Sequence, residues 1–412
     1  MRPARVRVAP KEGVAVAAAA TDTRNGFRWG LLVAGVLGFC LPLTAAVLPE
    51  DRADALYHAY SGGGLDVSGP SLLARKQLGK YTSLFGNYYV DSISSASIDV
   101  VTTASPYTEY REEKTVGGDF LYEKTLFNLS MTNSEESDFS ANSAAFGISH
   151  SLFGDLTTIS LGYGQGWDTI RKRADKAGNI DPNFKKKADR QRFRLGLSQV
   201  LSKNSLIDLN YELVTDEGYL NNPYRSVRYL DGNGAYQLQA EQYPNTRTSH
   251  ALGLKALYYL PYRAVVHGEV RGFIDTWGID ALIGEIGYIH PLGKAWILEA
   301  SYRYYTQSRA NFYSDLFTGK APSLDDCPYC YRARDKELST YYSHGIGLGA
   351  SYHFARQGWG FIDKGSLNVK YNYMQFNYQD FSDLRAKGLT PGSEPLYSFS
   401  AYVLRLFVSI WY

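Results

Sequence analysis

Cysteine and methionine are scarce in this 412-residue chain, with three of each. That scarcity excludes a disulfide-dense scaffold and a multi-cysteine zinc or iron–sulfur protein. Charge of one sign is lacking too. Forty-three basic and 41 acidic side chains leave a formal net charge of +2, which gives no footing for nucleic-acid binding. After residue 50 there is no apolar run of about eighteen residues, the length a membrane-spanning helix needs. No phosphate loop, zinc motif or nucleophile elbow occurs, so neither cofactor nor metal is expected and the chain is read as a non-enzyme.

Tyrosine is abundant instead, with 34 Tyr against 19 Phe, and glycine reaches 39. Rings with a polar tip suit a water–lipid boundary better than a dry core. Mean hydropathy is −0.29. That value fits a membrane protein only if alternate residues alone are apolar, as in a β-barrel.

The alternation is there. Trp296, Leu298, Ala300, Tyr302 and Tyr304 share one face of a segment whose other face carries Glu299, Ser301, Arg303 and Tyr305. Ile207, Leu209, Tyr211 and Leu213 oppose Asp208, Asn210 and Glu212, and Leu367, Val369, Tyr371 and Tyr373 oppose Asn368, Lys370 and Asn372. Period-two patterning of this kind reads as half-buried strand. Repeated over residues 63–412, it predicts an all-β fold, an antiparallel transmembrane outer-membrane β-barrel of about 16 strands (range ~14–18) around a wet lumen. Residues 47–62 are expected either to start the barrel or to lie in its lumen. Tight turns at Gly79-Lys80, Phe153-Gly154-Asp155, Ser202-Lys203-Asn204, Pro261-Tyr262 and Gly293-Lys294 mark one end. Long polar connections near 92–107, 169–190, 217–246, 306–337 and 381–394 mark the other. The short connection at Trp277-Gly278 departs from that pattern.

Residues 1–46 read as a targeting segment with a basic N-terminal extension. Arg24 and Arg28 precede an apolar stretch, Trp29 to Leu43, and a small-residue run, Thr44-Ala45-Ala46, where cleavage is expected. At the other end Leu404, Leu406, Val408, Ile410 and Tyr412 are apolar at every second position. A strand ending on an aromatic looks like the signal read by the outer-membrane assembly machinery.

Several segments resemble an uncharacterised family of proteobacterial outer-membrane proteins, domain-of-unknown-function family 3570. They are Pro49 to Asp54 with Leu56-Tyr57-His58, Asn87-Tyr88-Tyr89-Val90-Asp91 with Ser94 to Val101, Tyr313 to Phe317, and Ala333 to Thr340. The resemblance implies barrel form and outer-membrane location, and no activity. Members of the family tend to be encoded near flavin-transfer and thioredoxin-like exported proteins, so a periplasmic redox partner enters as an alternative function.

Candidate sites follow. Cys327-Pro328-Tyr329-Cys330 reads as a disulfide stapling a loop, or as a redox pair that Asp325 and Asp326 would disfavour by raising the thiol pKa. The basic run holding Lys185, Lys186 and Lys187 is a solvated loop or a contact for lipopolysaccharide phosphates. Arg192, Arg194, Asp208, Glu212, His267, Glu269, Arg271, Glu299, Arg303 and Arg405 are expected to face the lumen, filling it or lining a pore. His267 with Glu269 and Asp275 is the best cluster for a hydrolase, though a pore-lining His is the plainer reading. The leading expectation is a pore-like or scaffolding protein in contact with outer-membrane lipid.

Overall fold

Alternating apolar and polar residues become strands wherever one face can meet lipid and the other a lumen. In the computed structural model the described residues are 47–95, 107–174, 179–230, 234, 236–319, 330–386 and 388–412. Residues 1–46, read above as a targeting segment, lie outside them.

Sixteen strands close into an antiparallel barrel. In chain order they are β1 (Arg52–Gly62), β2 (Leu65–Leu78), β3 (Thr82–Ser95), β4 (Tyr107–Tyr122), β5 (Thr125–Glu135), β6 (Phe139–Leu152), β7 (Thr157–Arg173), β8 (Ile180–Ser202) and β9 (Ser205–Gly218), followed by β12 (Thr246–Tyr259), β13 (Val265–Asp275), β14 (Asp280–Leu292), β15 (Trp296–Gln307), β17 (Tyr341–Phe354), β18 (Lys364–Ser382) and β19 (Leu396–Trp411). Between them β10 (Ser226–Leu230), β11 (Tyr236–Ala240) and β16 (Phe317–Thr318) form a separate three-stranded sheet. Closure comes from β1 pairing β19, with Leu56 opposite Phe407 and His58 opposite Arg405. It removes every edge of the barrel sheet, as strands set in lipid require.

Leu72, Val116, Leu161, Leu195, Val270 and Ile346 are exposed on the outer face. Val116 is 62% exposed. A continuous apolar exterior of this kind is stable only against lipid. The turns predicted at Gly79 and Gly293 lie at the end of the barrel where Arg52 of β1 meets Trp411 of β19, and both glycines have the positive φ such turns need, 73° and 64°.

The segment 169–190, read as a loop, is instead mostly strand. β7 runs to Arg173 and β8 starts at Ile180, so a paired hairpin extends past its neighbours. The alternation fails there because the outer face turns polar once the hairpin clears the lipid, while the other face mixes Phe184 and Ala188 with Lys172 and Lys186.

The lumen is not uniformly wet. At the long-loop end, inward Phe273, Ile283, Tyr305, Tyr341 and Phe376 pack with Tyr243, Ala310, Tyr313, Ala333 and Leu338 of the connections into one apolar core. Connecting segments thus fold into the mouth. Trp277 explains the short β13–β14 connection: it is buried in this cap, 5.2 Å from Phe312 and 5.5 Å from Tyr243 between ring centroids, with Arg247 stacked over it.

Candidate functional site

The cap is tied down by four arginines and four carboxylates from distant connections. Arg228 on β10 donates to Asp315 Oδ2 at 2.6 Å and to Glu394 Oε1 at 2.6 Å. Arg334 reaches Asp315 at 2.8 Å and the Ser382 carbonyl at 3.0 Å. Arg225 pairs with Asp335, and Arg332 donates to the Ala240 and Cys330 carbonyls. Tyr243 donates to Glu241 at 2.6 Å and to Asp335 at 3.3 Å. Burial pushes the Glu241 carboxyl up to about 7, with Arg225 opposing and Asp335 adding to the rise. Burial also acts on Glu394, but the Arg228 hydrogen bond outweighs it and holds the group down at about 2. One carboxyl of the cap therefore titrates near neutrality while another stays charged.

A second network lines the inner face of β1, β3 and β4. His58 Nε2 lies 2.8 Å from Asp91 Oδ1, Tyr89 donates to that same oxygen at 2.7 Å, and Arg111 Nη2 is 2.6 Å from Asp91 Oδ2. The His58 and Tyr89 rings stack at 5.1 Å, and Arg111 lies over Tyr89. His58 stands opposite Gly69 on β2, and the β2–β3 register carries Gly69 on toward Asp91. With no side chain at Gly69, the imidazole crosses that strand to reach its carboxylate. The network is sealed, with His58 3% and Asp91 1% exposed. A histidine oriented by an aspartate supplies two of the three members of a hydrolytic triad. Among the described residues, no Ser, Thr or Cys is hydrogen-bonded to His58.

Higher on the same wall, Glu109, Glu136 and Asp138 bring one oxygen each within 4.8 Å of one another. These are the described residues that could hold a metal ion. Ser137 and Tyr224 already donate to Glu109 and Asp138, and Arg173 lies 4.0 Å from Glu109.

The lumen-facing candidates all sit on inward parity, and most of them pair across strands. Glu212 gathers Arg194 at 2.8 Å, Arg271 at 3.5 Å and Arg192 at 3.7 Å. Arg303 meets Glu285 and Lys370 meets Glu299. Asp208 stands opposite Lys255, and Arg405 opposite His58 and Lys370. His267, Glu269 and Asp275 do not converge. Eight residues of extended strand separate the ends of that set by roughly 26 Å. His267 lies over Gly287, Glu269 faces Lys255 at 3.8 Å, and Asp275 binds Arg247 and caps the Trp277 turn.

Lys185, Lys186 and Lys187 lie exposed on the β8 extension. Leu404, Leu406, Val408 and Ile410 share the outer face of β19. Tyr412 Oη donates to the Arg75 carbonyl across the barrel seam. Cys327 lies outside the described residues, so the Cys327–Cys330 pairing is not described.

Sequence reasoning missed both networks, although the segments that carry the family resemblance supply His58, Tyr89 and Asp91 to one and Asp315, Arg334 and Asp335 to the other. Comparison with solved structures finds other barrels. A bacterial polysaccharide outer membrane secretin is 8% identical, with 90% of this chain and 99% of that one covered at a TM-score of 0.46. The siderophore receptor PirA of Acinetobacter baumannii is 10% identical over 86% of this chain and 57% of its own, with a TM-score of 0.42. OmpT of Vibrio cholerae is 9% identical over 88% and 97%, with a TM-score of 0.40. No curated protein matches. A family model described as "Protein of unknown function (DUF3570)" matches residues 89–398, and the chain belongs to that family.

Proposed function

We propose that this protein is an integral outer-membrane barrel of the pore-like or scaffolding kind, non-catalytic, with its outer mouth held shut by its own loops. The observation that carries the reading is the apolar core built jointly by inward strand residues and the β15–β17 connection, from Phe273 and Tyr341 to Tyr313 and Leu338. A wide, permanently open pore would leave those rings in water. The ion pairs of the cap are the fastening, and the paired charges around Glu212 line the space beneath it.

Planar-bilayer recording of the refolded protein tests this. Wild type should pass little current, while Arg228→Ala should open frequently. A large steady conductance from wild type would remove the closed-mouth reading. Export by the general secretory route, with residues 1–46 removed, belongs to the same proposal. So does a structural disulfide between Cys327 and Cys330 on the outer side. An impermeant thiol reagent should label whole cells only after reduction, and labelling without reductant would return the pair to redox chemistry.

A further inference from the structure

The β7–β8 hairpin has two unlike faces where it clears its neighbours. One turns to the cap: Phe184, Ile170 and Ala188 pack with Phe139 and Tyr219, and Lys172 lies over the Tyr224 ring. The other continues the lipid-facing side of the barrel. Going outward along it, cross-strand partners succeed one another in ordered rows: Leu161 with Leu195, Tyr163 with Phe193, Gln165 with Gln191, Trp167 with Asp189, Thr169 with Lys187, and Arg171 with Lys185. Apolar rows give way to rings, then to polar groups, then to cations. The Tyr163 and Phe193 rings are 5.1 Å apart, and Trp167 is 48% exposed. That is the layering of a hydrocarbon slab and its headgroup boundary. Four residues beyond Trp167, or roughly 13 Å along the strand, stand Arg171 and Lys185. Among the described residues, no carboxylate is ion-paired with Arg171, Lys185 or Lys187. Asp189 and Glu217 share this outer face one row below the cations.

We infer that Arg171, Lys185 and Lys187 bind the phosphate groups of a phosphorylated glycolipid in the outer leaflet, whose acyl chains lie along the Leu161–Trp167 face. Lysine ammonium groups and one arginine fork supply charge-assisted hydrogen bonds at headgroup height, where the dielectric is below that of water. Lys186 belongs to the opposite face of the hairpin and takes no part. The inference rests on the outer-membrane reading above and adds its lipid partner.

The test uses the full mature barrel in detergent and in nanodiscs, with diphosphoryl lipid A as probe and fully dephosphorylated lipid A as control. Native mass spectrometry counts retained lipid. Wild type should retain the diphosphoryl form, and the triple variant Arg171→Gln, Lys185→Gln, Lys187→Gln should bind at least tenfold more weakly. Lys172→Gln with Lys186→Gln should bind like wild type, and Lys185→Arg with Lys187→Arg should keep binding. Heat-modifiable migration verifies that each variant is folded. Equal retention by wild type and the triple variant, or equal loss in the Lys172/Lys186 control, would overturn the assignment. So would displacement by millimolar inorganic phosphate, which would mark a site for free phosphate. A barrel that stays closed in bilayers yet retains no lipid A would lose this inference alone and leave the closed-mouth reading intact.

Discussion

Arg228 and Glu394 are 166 residues apart in the chain, and their Nη1 and Oε1 atoms lie 2.6 Å apart. Arg228 is 3% exposed and also holds Asp315. One guanidinium therefore joins the β10 connection to the β15–β17 and β18–β19 connections. Replacing it with Ala leaves Glu394 without its cation and Asp315 with Arg334 alone, and breaking a buried pair from one side costs about 3–5 kcal/mol. The cap should loosen while the barrel, held by strand pairing, stays folded. Proteolysis of the connections on whole cells should speed up in Arg228→Ala with heat-modifiable migration unchanged. Unchanged protease resistance would deny Arg228 its fastening role.

The cap should also respond to pH. Closed, it keeps a proton on Glu241 up to about 7; released, Glu241 loses that proton near its ordinary 4.5. Between those values the closed state binds more protons, so closure is strongest below about pH 4.5 and weakens as pH rises toward 7. Glu394 acts with the opposite sign: its share is present above 4.5 and is lost as pH falls toward 2. Opening frequency in bilayers should therefore be higher at pH 8 than at pH 5. Glu241→Gln, which keeps a neutral side chain at every pH, should flatten that difference. Identical profiles for wild type and variant would sink the assignment.

How much of this was legible in the sequence depends on the range of the interaction. Strands announced themselves through residues two apart, as in Trp296, Leu298, Ala300 and Tyr302, because lipid and lumen impose period two on each strand separately. The turns at Gly79 and Gly293 were local in the same sense. The cap was not, since Tyr243, Trp277, Tyr313 and Leu338 follow no period and meet only after the barrel closes. His58 and Asp91 are 33 residues apart, on strands separated by β2. The gap at Gly69 that lets them touch looks, in sequence, like an ordinary Gly-Pro pair. His267, Glu269 and Asp275 misled for the converse reason: nearness in sequence on an extended strand is distance in space.

Gly69 itself gives a sharp test. A Cβ added there would sit 1.8 Å from the Val90 carbonyl oxygen. Gly69→Ala should therefore push β2 and β3 apart and break the contact between His58 and Asp91. Unfolding in urea from lipid vesicles should show a loss of at least about 2 kcal/mol, of the order of an overpacked core. His58→Asn should cost less, because it leaves the strands in place. Should the Ala variant match wild type, the close approach of these strands would not be energetically significant.

The closing strand supplies a depth series. Leu404 faces lipid near the middle of β19, opposite Ala59 and Tyr371, whereas Ile410 lies near its end, opposite Ala53 and Gly365. An arginine on the lipid face costs about 2–4 kcal/mol at the midplane and about 0–1 near the interface, where the side chain reaches the headgroups. Leu404→Arg should thus unfold at distinctly lower urea than Ile410→Arg, and Val408→Arg should fall between them. Val403→Arg faces the other way, into the dry core beside Ala401 and Phe376, and should block assembly outright. The readouts are heat-modifiable migration for assembly and tryptophan fluorescence for unfolding in vesicles. If Leu404→Arg and Ile410→Arg cost the same, β19 is not crossing a membrane in this register. If Val403→Arg assembles normally, the filled mouth is wrong.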